Sequence, residues 1–124
     1  MKKPVATETA PGAVGPYSQA VVSGQFVFVS GQLPVDPATG RMPATAAEQA
    51  GQSLANIGAV LKAAGSSLDK AVRVGVFMTD LAGFQEVNEV YATFFSRPYP
   101  ARTTVEVPKL PKGALVEIDC IAEL

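Results

Sequence analysis

Arg102 and Glu117 are the first residues to consider, because a guanidinium and a carboxylate on two predicted neighbouring strands form either an ion pair or part of a binding site. The chain contains no histidine, which excludes Ser-His-Asp triads, Cys-His dyads and histidine-ligated zinc. Acid–base chemistry must therefore come from carboxylates, Lys, Tyr, Cys or bound water.

Two predicted strands, at residues 103–107 and 114–122, position these groups. A six-residue connection joins the strands, and we expect them to form a long hairpin. In the register that the connection favours, Arg102, Thr104 and Glu117 share one face of the sheet, on the side away from the helices. From spacing alone, an ordinary cross-strand ion pair on a solvated face is preferred over a binding site.

Both helices are predicted within residues 44–97, the window that contains no proline. The first begins at a capping box over Thr45–Glu48, and its apolar repeat ends at Gly65. The second is predicted from about 83 to 95 because apolar residues recur at helical spacing there, at Phe84, Val87, Tyr91 and Phe94.

The remaining strands are predicted at residues 5–9, at residues 18–22 and 25–31, which pair across Ser23-Gly24, and at residues 72–78. This order of elements predicts a single α+β domain over residues 1–124, with a mixed sheet and both helices on one of its faces. The other face is left without a cover. Since only 17% of the residues are charged and 48% are hydrophobic, we expect an oligomer to hide it, with a poorly soluble monomer as the alternative.

The charge balance and the amino terminus limit partners and location. Ten basic and eleven acidic side chains give a net charge of −1, which argues against a nucleic-acid partner. The amino-terminal lysines are not followed by an apolar signal segment, and no apolar run approaches the roughly 18 residues of a membrane span, so we expect a cytoplasmic protein that does not enter membranes. The single cysteine, Cys120, excludes a disulfide framework, and its strand parity predicts a small buried hydrophobe.

Four segments of the chain closely resemble the YjgF/RidA family, in matching order and spacing: Ala10–Ala20, Val29–Pro34, Asn88–Tyr91 and Tyr99–Thr103. The resemblance extends over essentially the whole chain. It implies a chorismate-mutase-like fold and a homotrimer with clefts between subunits, which would cover the free sheet face. It also implies a deaminase that hydrolyses enamine or imine intermediates to 2-oxoacids and ammonia, with no metal or cofactor.

The resemblance further implies roles for individual residues. An arginine at the position of Arg102 binds the substrate carboxylate, and a glutamate at the position of Glu117 helps to hold a water molecule. The substrate-binding positions of the family fall on Tyr17, Ser30, Gly31, Asn88, Arg102 and Thr104. Many deaminases of the family have a cysteine where this chain has Thr104, so a thiolate is not essential here, whereas a backbone carbonyl near it can still accept from water.

Several alternatives remain open at this point. Tyr17 could anchor a loop rather than line a cleft, Ser30-Gly31 could simply end a strand, and Asn88 could be a surface residue. Instead of an enzyme, the protein could be a non-catalytic module that captures a 2-oxoacid through Arg102. Some relatives are labelled endoribonuclease L-PSP or translation inhibitor. The slight excess of acidic side chains and the absence of histidine argue against action on RNA.

Overall fold

Six strands form one mixed sheet in the computed structural model, which describes residues 1–124. In chain order they are β1 (Lys3–Val5), β2 (Ala20–Ser23), β3 (Phe26–Gln32), β4 (Ala71–Met78), β5 (Ala101–Glu106) and β6 (Val116–Glu123). Their spatial order is β1-β2-β3-β6-β4-β5, in which β4 and β5 are parallel and every other pair is antiparallel. β6 therefore lies between two neighbours, and β5 forms an edge.

Two helices, α1 (Ala46–Ala63) and α2 (Phe84–Ala92), pack on the same face of this sheet. The predicted capping box starts α1: Thr45 Oγ1 accepts from the Glu48 amide at 3.2 Å, and the Thr45 amide donates to Glu48 Oε1 at 3.3 Å. α2 ends three residues before the predicted limit of 95. No helix is both long enough and apolar enough to cross a bilayer.

The core lies between the helices and the sheet. Alternate residues of β4 and β6 are buried against the helices, which contribute fully buried Leu54, Ile57 and Leu61 from α1. Each such side chain stabilises the fold by about 1.5–3 kcal/mol relative to an exposed position. The predicted α+β architecture, with both helices on one face of a mixed sheet, is confirmed.

The predicted hairpin between the last two strands is wrong. β5 pairs in parallel with β4, and β6 inserts between β3 and β4, so that the two strands are not neighbours. The physical reason is burial: four side chains of β6 are buried, which suits a strand with a partner on each side, whereas none of β5 is buried, which suits an edge. Sequence proximity favoured the hairpin, and burial decided against it.

The amino-terminal strand also differs from the prediction. It covers Lys3–Val5 rather than residues 5–9, because the segment around Thr7 is held by a side chain and not by a neighbouring strand. The amide of the buried Gln19 accepts from the Thr7 N–H at 2.7 Å and donates to the carbonyls of Thr7 and Pro11. The hairpin of β2 and β3 across Ser23-Gly24 is confirmed.

Candidate active site

Arg102 lies on the helix-covered face of the sheet, beneath α2. It is paired with Val74, whose side chain points to the helices, and directly paired residues share a face. Its Nη1 donates a hydrogen bond to Asn88 Oδ1 at 2.6 Å. Its Cζ lies 4.7 Å from the centroid of the Tyr91 ring and 5.5 Å from that of Phe84.

The spacing of the three helical contacts explains why one side chain meets them all. Phe84, Asn88 and Tyr91 are separated by four and three residues, so they form one stripe along α2. The rest of the Arg102 side chain is exposed in an open cleft, whose further walls include Tyr99 and Pro100. The arrangement leaves N–H groups of the guanidinium free to meet an anion.

Glu117 lies on the other face of the sheet. It is paired with Phe77, and the residues of β6 on either side of it, Val116 and Ile118, point into the core. No helix covers this face, yet the carboxyl group is half-buried, in a depression that also involves Tyr17 and Lys112. Glu117 is therefore separated from Arg102 by the sheet itself.

A β-bulge in β3 brings the backbone close to Glu117. Val29 pairs with Cys120 and Gln32 with Ile118, so that Ser30 and Gly31 together oppose a single residue of β6. A Cβ atom at position 31 would lie 2.6 Å from Glu117 Oε2, which no real contact allows. A larger residue at position 31 would therefore have to displace the Glu117 carboxyl group from this place.

The loop before β2 closes the same depression. Ser30 Oγ donates to the Ser18 carbonyl at 2.6 Å, and the Ser30 amide donates to the Gln19 carbonyl at 2.9 Å. Tyr17 is about half exposed, and its hydroxyl accepts from the Val14 amide at 3.3 Å. Its ring thus remains available as a wall.

The electrostatic setting of Glu117 favours the protonated form. Burial raises the pKa of its carboxyl group above the ordinary value, and the negative charge of Asp119, two residues along the strand, raises it further. Burial, with a smaller contribution from Asp119, raises the pKa of the Cys120 thiol to about 12. Cys120 is buried as predicted, and its thiol is unreactive at neutral pH.

The structure therefore sorts the predicted site residues into two groups. Tyr17, Ser30 and Gly31 surround Glu117, whereas Asn88 contacts Arg102. Thr104 shares the face of Arg102, and its Oγ1 is buried without a hydrogen-bond partner. The prediction that Arg102, Thr104 and Glu117 share the uncovered face is wrong, because it depended on the hairpin.

Sequence reasoning missed two roles. Tyr91 and Phe84 were assigned only to the apolar stripe of α2, although their spacing from Asn88 places them around the same side chain. The buried Gln19, part of the matched amino-terminal segment, had no assigned role, and it fixes the segment that leads to Tyr17.

Residues 7–124 match the family model described as "Endoribonuclease L-PSP". The chain is 55% identical over 125 residues to "RutC family protein y4sK" of Sinorhizobium fredii, covering 100% of this chain and 99% of the relative. It is 47% identical to the "2-iminobutanoate/2-iminopropanoate deaminase" of Escherichia coli, covering 98% of each. The crystal structure of E. coli TdcF with bound serine superposes with a TM-score of 0.93 at 45% identity, covering 98% of both chains.

These matches cover nearly the full length of each relative, and they include both halves of the site described above. The loop before β2, the β3 bulge, the stripe of α2 and strands β5 and β6 all lie within residues 7–124, which the family model matches. The chain therefore belongs to the YjgF/RidA family, whose family model is described as endoribonuclease L-PSP.

Proposed function

We propose that this protein is a deaminase that hydrolyses 2-iminobutanoate and 2-iminopropanoate to 2-oxobutyrate or pyruvate and ammonia. The observation that carries the proposal is the Arg102 guanidinium, held by an amide and two aromatic rings with its remaining N–H groups open to a cleft. The E. coli relative named for this activity supports the same assignment.

Arg102 suits the carboxylate that both substrates carry. A planar guanidinium binds a carboxylate through two parallel hydrogen bonds, which also fix the direction of the adjacent C=N carbon. Because the bound substrate is already oriented, part of the entropy that free reactants would lose on reaching the transition state is lost when the substrate binds. Because such imines also hydrolyse spontaneously, orientation and one placed water molecule are sufficient catalysis, and the proposed chemistry uses no cofactor.

Glu117 is the proposed base. A water molecule bound to its carboxylate attacks the carbon of the protonated imine, C=NH2⁺, and forms a C–O bond; Glu117 takes one proton of the water, and the electron pair of the C=N π bond moves to the nitrogen, which becomes a neutral amine. Glu117 then gives this proton to the amine of the carbinolamine, and the C–N bond breaks with ammonia as the leaving group. The hydroxyl proton passes to the Glu117 carboxylate as the C=O bond of the oxoacid forms, and its release to solvent restores the base.

The placement of Arg102 and Glu117 on opposite faces of the sheet favours a site that two copies build together. We therefore include in the proposal a homotrimer in which Arg102 of one protomer meets Glu117 of the next. The face without helices supports this, since it exposes Phe26, Phe28 and Val105, whose accessible fractions are 42%, 45% and 38%. An apolar surface of this kind is typical of an interface.

A cytoplasmic location also belongs to the proposal, because the one cysteine is a free, buried thiol.

A coupled assay tests the function. A pyridoxal-phosphate-dependent threonine dehydratase generates the enamine of 2-oxobutyrate, and the appearance of the oxoacid is followed with and without this protein. We expect the wild-type protein to accelerate release and Arg102→Ala to abolish the acceleration. Arg41→Ala is the matched control, because Arg41 is an exposed arginine that lines neither the Arg102 cleft nor the Glu117 depression.

Two other outcomes would contradict the proposal. Binding of 2-oxobutyrate in calorimetry without any acceleration would indicate a binding module. RNA cleavage that survives Arg102→Ala, in the absence of any effect on oxoacid release, would indicate a nuclease.

A further inference from the structure

We infer that Tyr91 is a positioning residue: the face of its ring fixes the plane of the Arg102 guanidinium, and Asn88 fixes the rotation of the guanidinium within that plane. This inference rests on the proposed function, because it explains how the carboxylate-binding group is oriented before substrate arrives.

The geometry of the contacts supports these two roles. The Arg102 Cζ lies 4.7 Å from the Tyr91 centroid, within the range of about 6 Å over which a cation is attracted to a ring face. Asn88 Oδ1 accepts from Nη1 at 2.6 Å, which selects one edge of the guanidinium. Phe84, at 5.5 Å, borders the cation on the same helix. The other N–H groups of the guanidinium have no hydrogen-bond partner in the chain, and the guanidinium lines the cleft.

Tyr91 is suited to this task because its ring is held by packing. Only 6% of it is accessible, and its ring packs against that of Phe95 with the centroids 4.6 Å apart. Arg102, by contrast, is an exposed side chain on an edge strand, where a long chain without contacts would sample many rotamers. Contact with the packed ring restricts the rotamers of Arg102 before substrate arrives, so substrate binding costs less conformational entropy.

The hydroxyl group of Tyr91 is not needed for this role. Its oxygen is buried and has no hydrogen-bond partner, and burial raises the pKa of the phenol, although the Arg102 charge opposes the rise. The hydroxyl is therefore neutral and unpaired. Ring and hydroxyl can be separated by experiment, because phenylalanine keeps the first and removes the second.

The experiment compares Tyr91→Leu with Tyr91→Phe. We expect Tyr91→Leu to weaken 2-oxobutyrate binding in calorimetry, and to raise KM for the imine, by about 3- to 30-fold, with a smaller change in kcat. Tyr91→Phe should retain wild-type binding. Val87→Ala is the control for core damage, because Val87 is a buried apolar residue of the same helix that does not line the Arg102 cleft.

A second measurement does not depend on activity. Nuclear magnetic resonance of the Arg102 side chain should show hindered guanidinium rotation in the wild-type protein and in Tyr91→Phe, and fast rotation in Tyr91→Leu. Circular dichroism checks that each variant is folded, and Tyr91→Met replaces the leucine variant where that one does not fold.

Two results would overturn the inference. The first is that the folded Tyr91→Leu protein binds 2-oxobutyrate as tightly as the wild type, whereas the Arg102→Ala protein does not bind it. The other is Tyr91→Phe that binds as weakly as Tyr91→Leu, which would assign the effect to the hydroxyl. Because 2-oxobutyrate binding is measured directly, a protein that binds this oxoacid but shows no deaminase activity would disprove the proposed function and still decide the role of Tyr91.

Discussion

Glu117 has a carboxyl group whose charge is disfavoured both by burial and by the neighbouring Asp119. Packing alone does not require a carboxylate here, since this face of β6 also carries the apolar Ile121. A charge kept at a cost to stability is typical of functional positions. Substitutions of Glu117 and of its neighbour Asp119 test this argument.

Glu117→Gln should raise the free energy of unfolding at pH 7. A carboxyl group whose pKa is raised in the folded state destabilises the protein when it ionises; the effect is absent below the ordinary value of 4.5 and complete above the raised pKa. The gain over the wild type should therefore shrink as the pH falls toward 4. Urea unfolding at both pH values measures it. Glu123→Gln, which changes an exposed carboxylate of the same strand, should show a smaller gain, and an equal gain would contradict the argument.

Asp119→Asn should move the acidic limb of the pH profile of kcat/KM to lower pH. The proposed base is active when ionised, so activity rises as the pH passes its pKa. Removing the Asp119 charge removes one of the two causes of the raised pKa, while burial remains. A profile measured between pH 4 and 8 checks the direction. A limb that moves to higher pH, or does not move, would show that this charge does not act on the base.

At the scale of elements, the β3 bulge and α2 each shape one half of the site. In the bulge, Ser30 and Gly31 together lie opposite one residue of β6, and the backbone of β3 comes close to the Glu117 carboxylate. Side chains along one stripe of α2 contact Arg102. Each element therefore positions one residue of the candidate site.

Gly31→Ala should lower kcat by about 10- to 100-fold, because a methyl group at this position must displace the Glu117 carboxylate, and a shift of about 1 Å costs this much. Binding of 2-oxobutyrate through Arg102 should change little. The coupled assay and calorimetry measure the two effects. Gly51→Ala is the control, since a Cβ there meets only an ordinary contact at 3.5 Å. Unchanged kcat in folded Gly31→Ala would disprove the steric argument.

The elements differ in how far the sequence predicts them. The first helix follows from local signals, the capping box at Thr45 and the apolar repeat, and the structure confirms both. The partner of β6 does not follow from local signals, because strand pairing depends on contacts far apart in the chain. The strand parity of Cys120 predicted the inner face of β6 correctly, but it could not tell which strands lie on either side.

The candidate site could be predicted only in part, because its geometry also depends on strand pairing. Family resemblance named Arg102, Glu117 and Asn88, and the contact between Arg102 and Asn88 is present. The face of Arg102 depends on whether β5 joins β4 or β6, and only the parallel pairing with β4 places it under Tyr91. Short-range periodicity contains no information on that choice.

At the scale of the whole molecule, the sheet divides the functional groups. Arg102 lies under α2, and Glu117 lies on the face that no helix covers. In the proposed mechanism, one chain alone therefore offers two incomplete sites. The proposed trimer makes each site from the arginine half of one protomer and the glutamate half of another.

Mixing two inactive variants should restore activity. Arg102→Ala subunits keep Glu117, and Glu117→Gln subunits keep Arg102, so mixed trimers contain some complete sites. After equal mixing, unfolding and refolding together, we expect about a quarter of the wild-type rate, the share of sites with both groups in random assembly. The coupled assay measures the rate.

Each variant refolded alone is the control and should stay inactive. Light scattering before mixing should give the mass of three chains. A monodisperse monomer, or a refolded mixture of trimers with no regained activity, would disprove the shared site.

The separation of the two groups by the sheet also bears on gene duplication. In the proposed trimer each polypeptide serves two neighbouring sites, one through Arg102 and one through Glu117. A duplicated gene whose product has lost Glu117 would still supply arginine to sites completed by the intact product. Paralogues expressed in the same cell can therefore diverge on one surface of the sheet while the other surface remains under selection.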